Sequence, residues 1–135
     1  MSTSTIRQAS VWDISELARL LLEACADDEL HWVLEPRQQQ YPQDMYRIIF
    51  RGVRDKLLNS GYVVDVIEDG ERIVGMAAWG SDATVFPTWW EWACNTAAKW
   101  WDRAAAFVFG EPRSSDAQAW QSLKIASSDM IARYG

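Results

Sequence analysis

The chain has one histidine, His31, standing three and four residues after the carboxylates Asp28 and Asp27. If that turn is helical, imidazole and carboxylate share one side of it. Histidine titrates near neutrality, which makes His31 the side chain best suited to take a proton from an amine as a general base. The competing reading is a loop histidine packed on its neighbour Trp32. No metal is expected at Asp27, Asp28 and His31: zinc and iron sites want about three protein ligands in an ordered surround, and no further histidine exists. Cys25, beside the apolar stripe of a predicted helix, reads as a core residue, and Cys94 has no histidine near it in sequence. Gly-x-Ser-x-Gly, the Walker loop and the Rossmann fingerprint do not occur. Arg47, Arg51 and Arg54 lie on one side of a second predicted helix and read as a solvated face.

The elements that must position these residues are built around Gly61 to Gly80, GYVVDVIEDGERIVGMAAWG. Two Val- and Ile-rich runs flank Asp69-Gly70, a dipeptide suited to a tight hairpin turn. With that turn Glu68 faces Glu71, Val66 faces Ile73, Val64 faces Gly75 and Tyr62 faces Ala77. Both faces of the ribbon are then mostly apolar, which predicts helices on both sides. Before it, a short strand is expected near Thr5 to Ala9. A helix over 14–26 follows, with Asp13 as N-cap and Glu16 as its capping-box partner. Glu29 to Gln40 reads as a connection. A second helix starts at Pro42, buries Met45, Ile48, Ile49, Val53 and Leu57, and breaks at Asn59-Ser60-Gly61.

After the hairpin comes TWWEWACNTAAKWWDRAAAFVF, Thr88 to Phe109, which holds five of the nine tryptophans. Its helical stripes, Trp89, Ala97, Trp100 and Phe107 beside Trp90, Trp101, Ala105 and Val108, make an apolar arc wider than a surface helix needs. That helix is expected to cover the bare hairpin face, or else to form an aromatic pocket or a partner surface. Gly110 and Pro112 end it. Ser114-Ser115-Asp116 caps a last helix carrying Trp120, Leu123, Met130 and Ile131.

The sum is one domain over 1–135 of α/β class, α+β-like: a three-stranded antiparallel sheet covered by helices, with a core in 1–80 and a Trp-rich helical segment in 81–135. A net charge of −6 argues against nucleic acid as a partner, since phosphate binding wants surplus Lys and Arg. No stretch approaches the roughly 20 apolar residues of a membrane helix. MSTSTIRQAS lacks the apolar run of a signal peptide, and two cysteines without metal-type spacing fit a reducing compartment. A cytoplasmic location is expected.

Ile6-Arg7-x-Ala9, then Asp13-Ile14 with Leu17-Ala18-x-Leu20, resembles the first strand and helix of the GNAT superfamily of N-acetyltransferases. Asp27-Asp28-x-Leu30 followed by Tyr41-Pro42 and a long helix is similar to a branch of that family common in filamentous fungi. Ile73-Val74-Gly75-Met76-Ala77-Ala78-Trp79 resembles that branch's second and third strands. The resemblance covers residues 5–80. It implies acyl transfer from acetyl-CoA to an amine, with a base or water relay removing the proton. It places the acceptor between the first-to-second helix connection and the strand ends, so Trp32, Tyr41 and Trp79 are the implied substrate-binding residues, with His31 the weak catalytic candidate. Trp32 and Trp79 sealing the end of the core is the alternative.

The family's cofactor loop, Gln/Arg-x-x-Gly-x-Gly/Ala, holds the pyrophosphate with backbone N–H groups and a helix N-terminus. No two glycines of this chain lie two apart, and the variant ending in Ala is missing as well. The expectation is therefore the acceptor-side half of an acyl-CoA N-acyltransferase. A second chain, a second copy pairing at strand 72–80, or a C-terminal half would complete it. The alternative is a non-catalytic domain that binds a small aromatic or apolar ligand, or itself, through its Trp-rich face. This chain alone should bind acetyl-CoA no more tightly than about millimolar, and calorimetry giving low-micromolar affinity would contradict the missing loop.

Overall fold

The computed structural model describes residues 4–80 and 87–134. The first residues of the segment read for a leader, Met1 to Thr3, and the terminal Gly135 lie outside them. The elements are β1 Ser4–Gln8, α1 Ile14–Ala24, α2 Glu29–Leu34, α3 Pro42–Leu57, β2 Tyr62–Asp69, β3 Arg72–Gly80, α4 Trp89–Phe109 and α5 Ala117–Tyr134, with a 3-10 turn over Val11–Asp13. The strands form one antiparallel sheet in the order β1-β2-β3. The class is the expected one.

The hairpin forms where its Val and Ile runs demand, but its register differs from the expected one. Asp69 pairs with Arg72, so Gly70 and Glu71 make the turn, and Gly70 takes φ +65. An Asp69-Gly70 turn of the commonest hairpin type asks both residues for positive φ, which costs an aspartate. A Gly-Glu turn asks it only of the glycine. A bulge then slips β3 by one more residue between Ile73 and Gly75, opposite Ile67 and Glu68. Because side chains alternate with period two, that slip exchanges faces beyond it. Met76 pairs with Val66 and Ala78 with Val64 on the core side, while Ala77 and Trp79 turn to the opposite side with Asp65 and Val63.

The core lies on one face of the sheet. Leu17 and Ala18 of α1 and Met45, Ile49 and Val53 of α3 pack on Val66 and Ile73. The apolar spacing read from the sequence accounts for both helices: Ile14, Leu17 and Ala18 are buried on α1, and Pro42 opens α3 as expected. Asp13 does not cap α1. Its carboxylate accepts from the backbone N–H of Ser10 at 2.7 Å, closing the 3-10 turn, and takes both terminal nitrogens of Arg7 at 2.7 and 2.9 Å. Glu16 instead accepts the backbone N–H of Ile73 at 2.9 Å, joining α1 to β3. A carboxylate goes to the strongest donor in reach, and a guanidinium fork outcompetes one helix N–H.

The other face of the sheet is open. Ile6, Val63, Ile67, Val74 and Trp79 are exposed there or along the bulged strand, against the expectation of helices on both sides. α4 lies instead along the outside of α3. The stripe expected to be a solvated face holds it: Arg54 places two nitrogens on Asp102 at 2.9 and 2.8 Å, and Arg51 reaches the same carboxylate at 3.2 Å. Thr88 caps α4 in a box with Glu91, whose carboxylate also accepts from Ser60 at 3.2 Å. Small and polar residues of α4, among them Cys94, Asn95, Ala98 and Asp102, are its less exposed side, and its tryptophans are exposed.

α5 is anchored by a buried carboxylate. Glu35, just after α2, accepts from Ser115 Oγ at 2.8 Å and from Trp120 Nε1 at 2.9 Å. Asp116 caps α5 through Gln118 N–H at 2.9 Å, as the Ser-Ser-Asp run suggested.

Hydrogen bonds from Arg7 hold the Asp13 carboxyl well below the usual range, and those from Arg54 lower Asp102. A carboxylate depressed in the fold releases its proton more readily than in the unfolded chain. Its stabilisation is therefore complete above the unfolded pKa, near 4, and is lost as pH falls through the folded value. Thermal melting temperatures should be flat from about pH 7 to 5 and drop below about pH 4. The destabilisation caused by Asp102→Asn should shrink over the same acid range.

Candidate functional site

A cleft with a volume of about 740 Å³ opens between the N-terminal half of α3 and the C-terminal end of α4. Small-molecule sites are commonly of this size, with mostly apolar walls and a few placed polar groups. Tyr46 of α3 and Trp101, Ala105 and Phe109 of α4 supply the walls. Trp101, Ala105 and Phe109 recur at four-residue spacing, so one edge of α4 presents all three.

Three guanidinium groups border it, from Arg19 on α1, Arg47 on α3 and Arg113 in the α4–α5 loop. Arg47 lies over the Phe109 ring at 5.6 Å and 3.6 Å from the Asp44 carboxylate. Arg113 stacks on the Tyr41 ring at 4.6 Å. Asp44, buried at the start of α3, accepts the backbone N–H of Arg113 at 2.9 Å and so pins that loop at the cleft. Among the described residues, neither Arg19 nor Arg113 has a carboxylate within ion-pair distance. A second, smaller cavity shares Tyr46, Arg47 and Trp101 and carries the groove on toward the Arg54–Asp102 pair. Arg51 and Arg54 are thus spent on Asp102 and Arg47 lies beside Asp44, while Arg19 and Arg113 stand at the cleft without a carboxylate partner among the described residues.

None of the residues implied by the resemblance lines this cleft. Tyr41 comes nearest, under Arg113. His31 and Trp32 sit on α2, a helix where a connection was expected; Trp32 is 40% exposed. Trp79 is 63% exposed on the open sheet face, turned there by the bulge. Neither tryptophan seals the core, so that alternative is set aside. His31 is half-buried, and its Nδ1 is shielded from solvent without a hydrogen-bond partner. Cys25, half-buried at the end of α1, has its thiol pushed up by burial and by the charge of Asp28. Both cysteines are free.

The cleft residues were partly legible. Trp101 and Ala105 fell on one stripe and Arg47 on another, but that those stripes face each other depends on the Arg54–Asp102 pair, which no local spacing signals. Arg19 and Arg113 reach the cleft from α1 and a loop, and carry no sequence signal at all. No family model, no curated protein and no solved structure matches this chain.

Side chains this exposed contribute little to the core. Trp79→Ala and Trp32→Ala should each change unfolding free energy by no more than about 1 kcal/mol, whereas Leu17→Ala should cost about 2–5 kcal/mol. Urea unfolding of the three variants checks the contrast.

Proposed function

We propose that this chain is a binding domain for a small aromatic anion, a carboxylate or sulfonate on an apolar ring, held in the groove between α3 and α4. The observation that carries it is the pair of guanidinium groups without carboxylate partners, Arg19 and Arg113, set beside the aromatic walls of Tyr46, Trp101 and Phe109. A planar guanidinium matches a carboxylate or sulfonate edge through two parallel hydrogen bonds, and a ring body would stack on the walls. Nothing in the cleft is arranged as a nucleophile with its base, so recognition is the reading these residues favour.

A second reading has support of its own: the acceptor-side half of an acyl-CoA N-acyltransferase, with acetyl-CoA arriving through a completing half. Its support is the strand order β1-β2-β3 with α1 and α3 on one face, together with the outer edge of β3, which no described strand pairs. An unpaired edge is a template for another strand, from a partner or a second copy.

Calorimetry with a panel of aromatic carboxylates and their neutral amides tests the first reading. Charged members should bind at least about 10-fold more tightly than their amides, and Arg113→Met and Arg19→Met should each weaken them about 10-fold or more. Equal binding of acids and amides, or no loss in either variant, would overturn it.

A further inference from the structure

The turn joining α1 to α2 brings together a thiol, a carboxylate and an imidazole. We propose that Cys25, Asp28 and His31 form a three-ligand site for a zinc-type divalent cation. The ligand-capable atoms of the three lie within 4.8 Å of one another. The local chain explains why. Cys25 ends α1, its N–H donating to Leu21 at 2.9 Å. The N–H of Asp28 donates to the Cys25 carbonyl at 3.1 Å and closes a turn. Asp28 then caps α2 with Oδ1 on the Leu30 N–H at 2.9 Å, and His31 lies three residues on, in the first turn of that helix. A spacing of three, taken twice across a tight turn, points all three side chains the same way.

His31 supplies the second observation. Its Nδ1 is cut off from solvent and has no hydrogen-bond partner among the described residues. A shielded polar atom without a partner is rare in folded proteins and marks a place where something else supplies the contact. Asp28 uses one oxygen for its cap and keeps the other free. The third ligand is Cys25 and not Asp27, so a second histidine, whose lack argued against a metal at Asp27, Asp28 and His31, is not required. Ligands around tetrahedral zinc stand roughly 3.5 Å apart, so rotamer adjustments of about 1 Å complete the site.

The donor set selects the ion. A thiolate with an imidazole favours zinc and its spectroscopic substitute cobalt over the oxygen-seeking magnesium and calcium. Three protein ligands leave a fourth position for water or for a donor atom of a bound molecule.

Titration of the full chain with Co²⁺ under reducing conditions tests this. One equivalent should bind with a thiolate-to-cobalt charge-transfer band and tetrahedral d–d bands, and Zn²⁺ should bleach both. Cys25→Ser should abolish the charge-transfer band, and Cys94→Ser should leave it intact. His31→Gln, and Asp28→Asn, which keeps a capping side chain, should each weaken binding at least about 10-fold. Circular dichroism of the metal-free variants monitors folding. If Cys25→Ser does not fold, the His31 and Asp28 variants decide. No charge-transfer band in the parent chain, a band that survives Cys25→Ser, or binding unchanged in both the His31 and Asp28 variants would overturn the site.

Discussion

Where α4 goes is decided by a bidentate ion pair. Arg54 reaches across from α3 with two nitrogens on Asp102, and the arginine side chain is only 12% exposed. α4 has no fully buried residue, so apolar burial does not fix its position. A fork-to-carboxylate contact is directional in a way that apolar packing is not, and Arg51 adds a second cation to the same carboxylate. Isolated surface pairs contribute little, whereas a shared, half-sheltered carboxylate with good geometry is the arrangement in which they count. Rotating α4 by half a turn would bury its tryptophans and strand three arginines opposite apolar rings. The helix instead keeps Asp102 toward α3, with Trp101 at the edge of the groove and the other indoles exposed.

Much follows from that choice. The open sheet face stays open because the helix expected to cover it is engaged elsewhere. Trp101 and Phe109 end up flanking Arg47 instead of lying over Val63 and Ile67, and the cleft exists because two helices tied by charges leave a gap that packed apolar faces would have closed. α5 is secured by the same kind of device: the buried Glu35 carboxylate accepts hydrogen bonds from Ser115 and Trp120.

The boundary between what the sequence reveals and what it hides runs along this division. Where apolar burial governs, spacing was enough. The stripes Ile14-Leu17-Ala18 and Met45-Ile49-Val53, the Pro42 start, the Asn59-Ser60-Gly61 break and the strand order are all local or periodic signals. Where a single polar contact governs, spacing failed. Asp13 looked like a helix cap because caps are aspartates, yet Arg7, six residues away, took it. The bulge at Val74 moved Trp79 from the core side to the open side, and one residue of slip was enough because strand periodicity is two. Cys25 was weighed as core because helix-end cysteines beside apolar stripes usually are, and its nearness to Asp28 and His31 depends on a turn closed by one backbone hydrogen bond.

Charge shows the same lesson on a larger scale. Net charge, −6 here, bears on contact with a long polyanion, which needs a continuous basic face. It says nothing about a small anion, because a cleft responds to the few groups that border it. Around this one stand Arg19, Arg47 and Arg113 with Asp44 alone opposing them, and Asp44 is partly committed to the Arg113 backbone. The acidic residues that set the overall sign are elsewhere: Asp102 engaged by Arg51 and Arg54, Asp13 and Glu68 by Arg7, Glu35 buried beside Trp120. Charges on an open surface are screened by salt over roughly 8–10 Å, so carboxylates far from the groove weigh less there than the guanidinium groups on its border. An acidic chain can in this way border a groove with cations, and the aromatic rings of Tyr46, Trp101 and Phe109 stand on the same border.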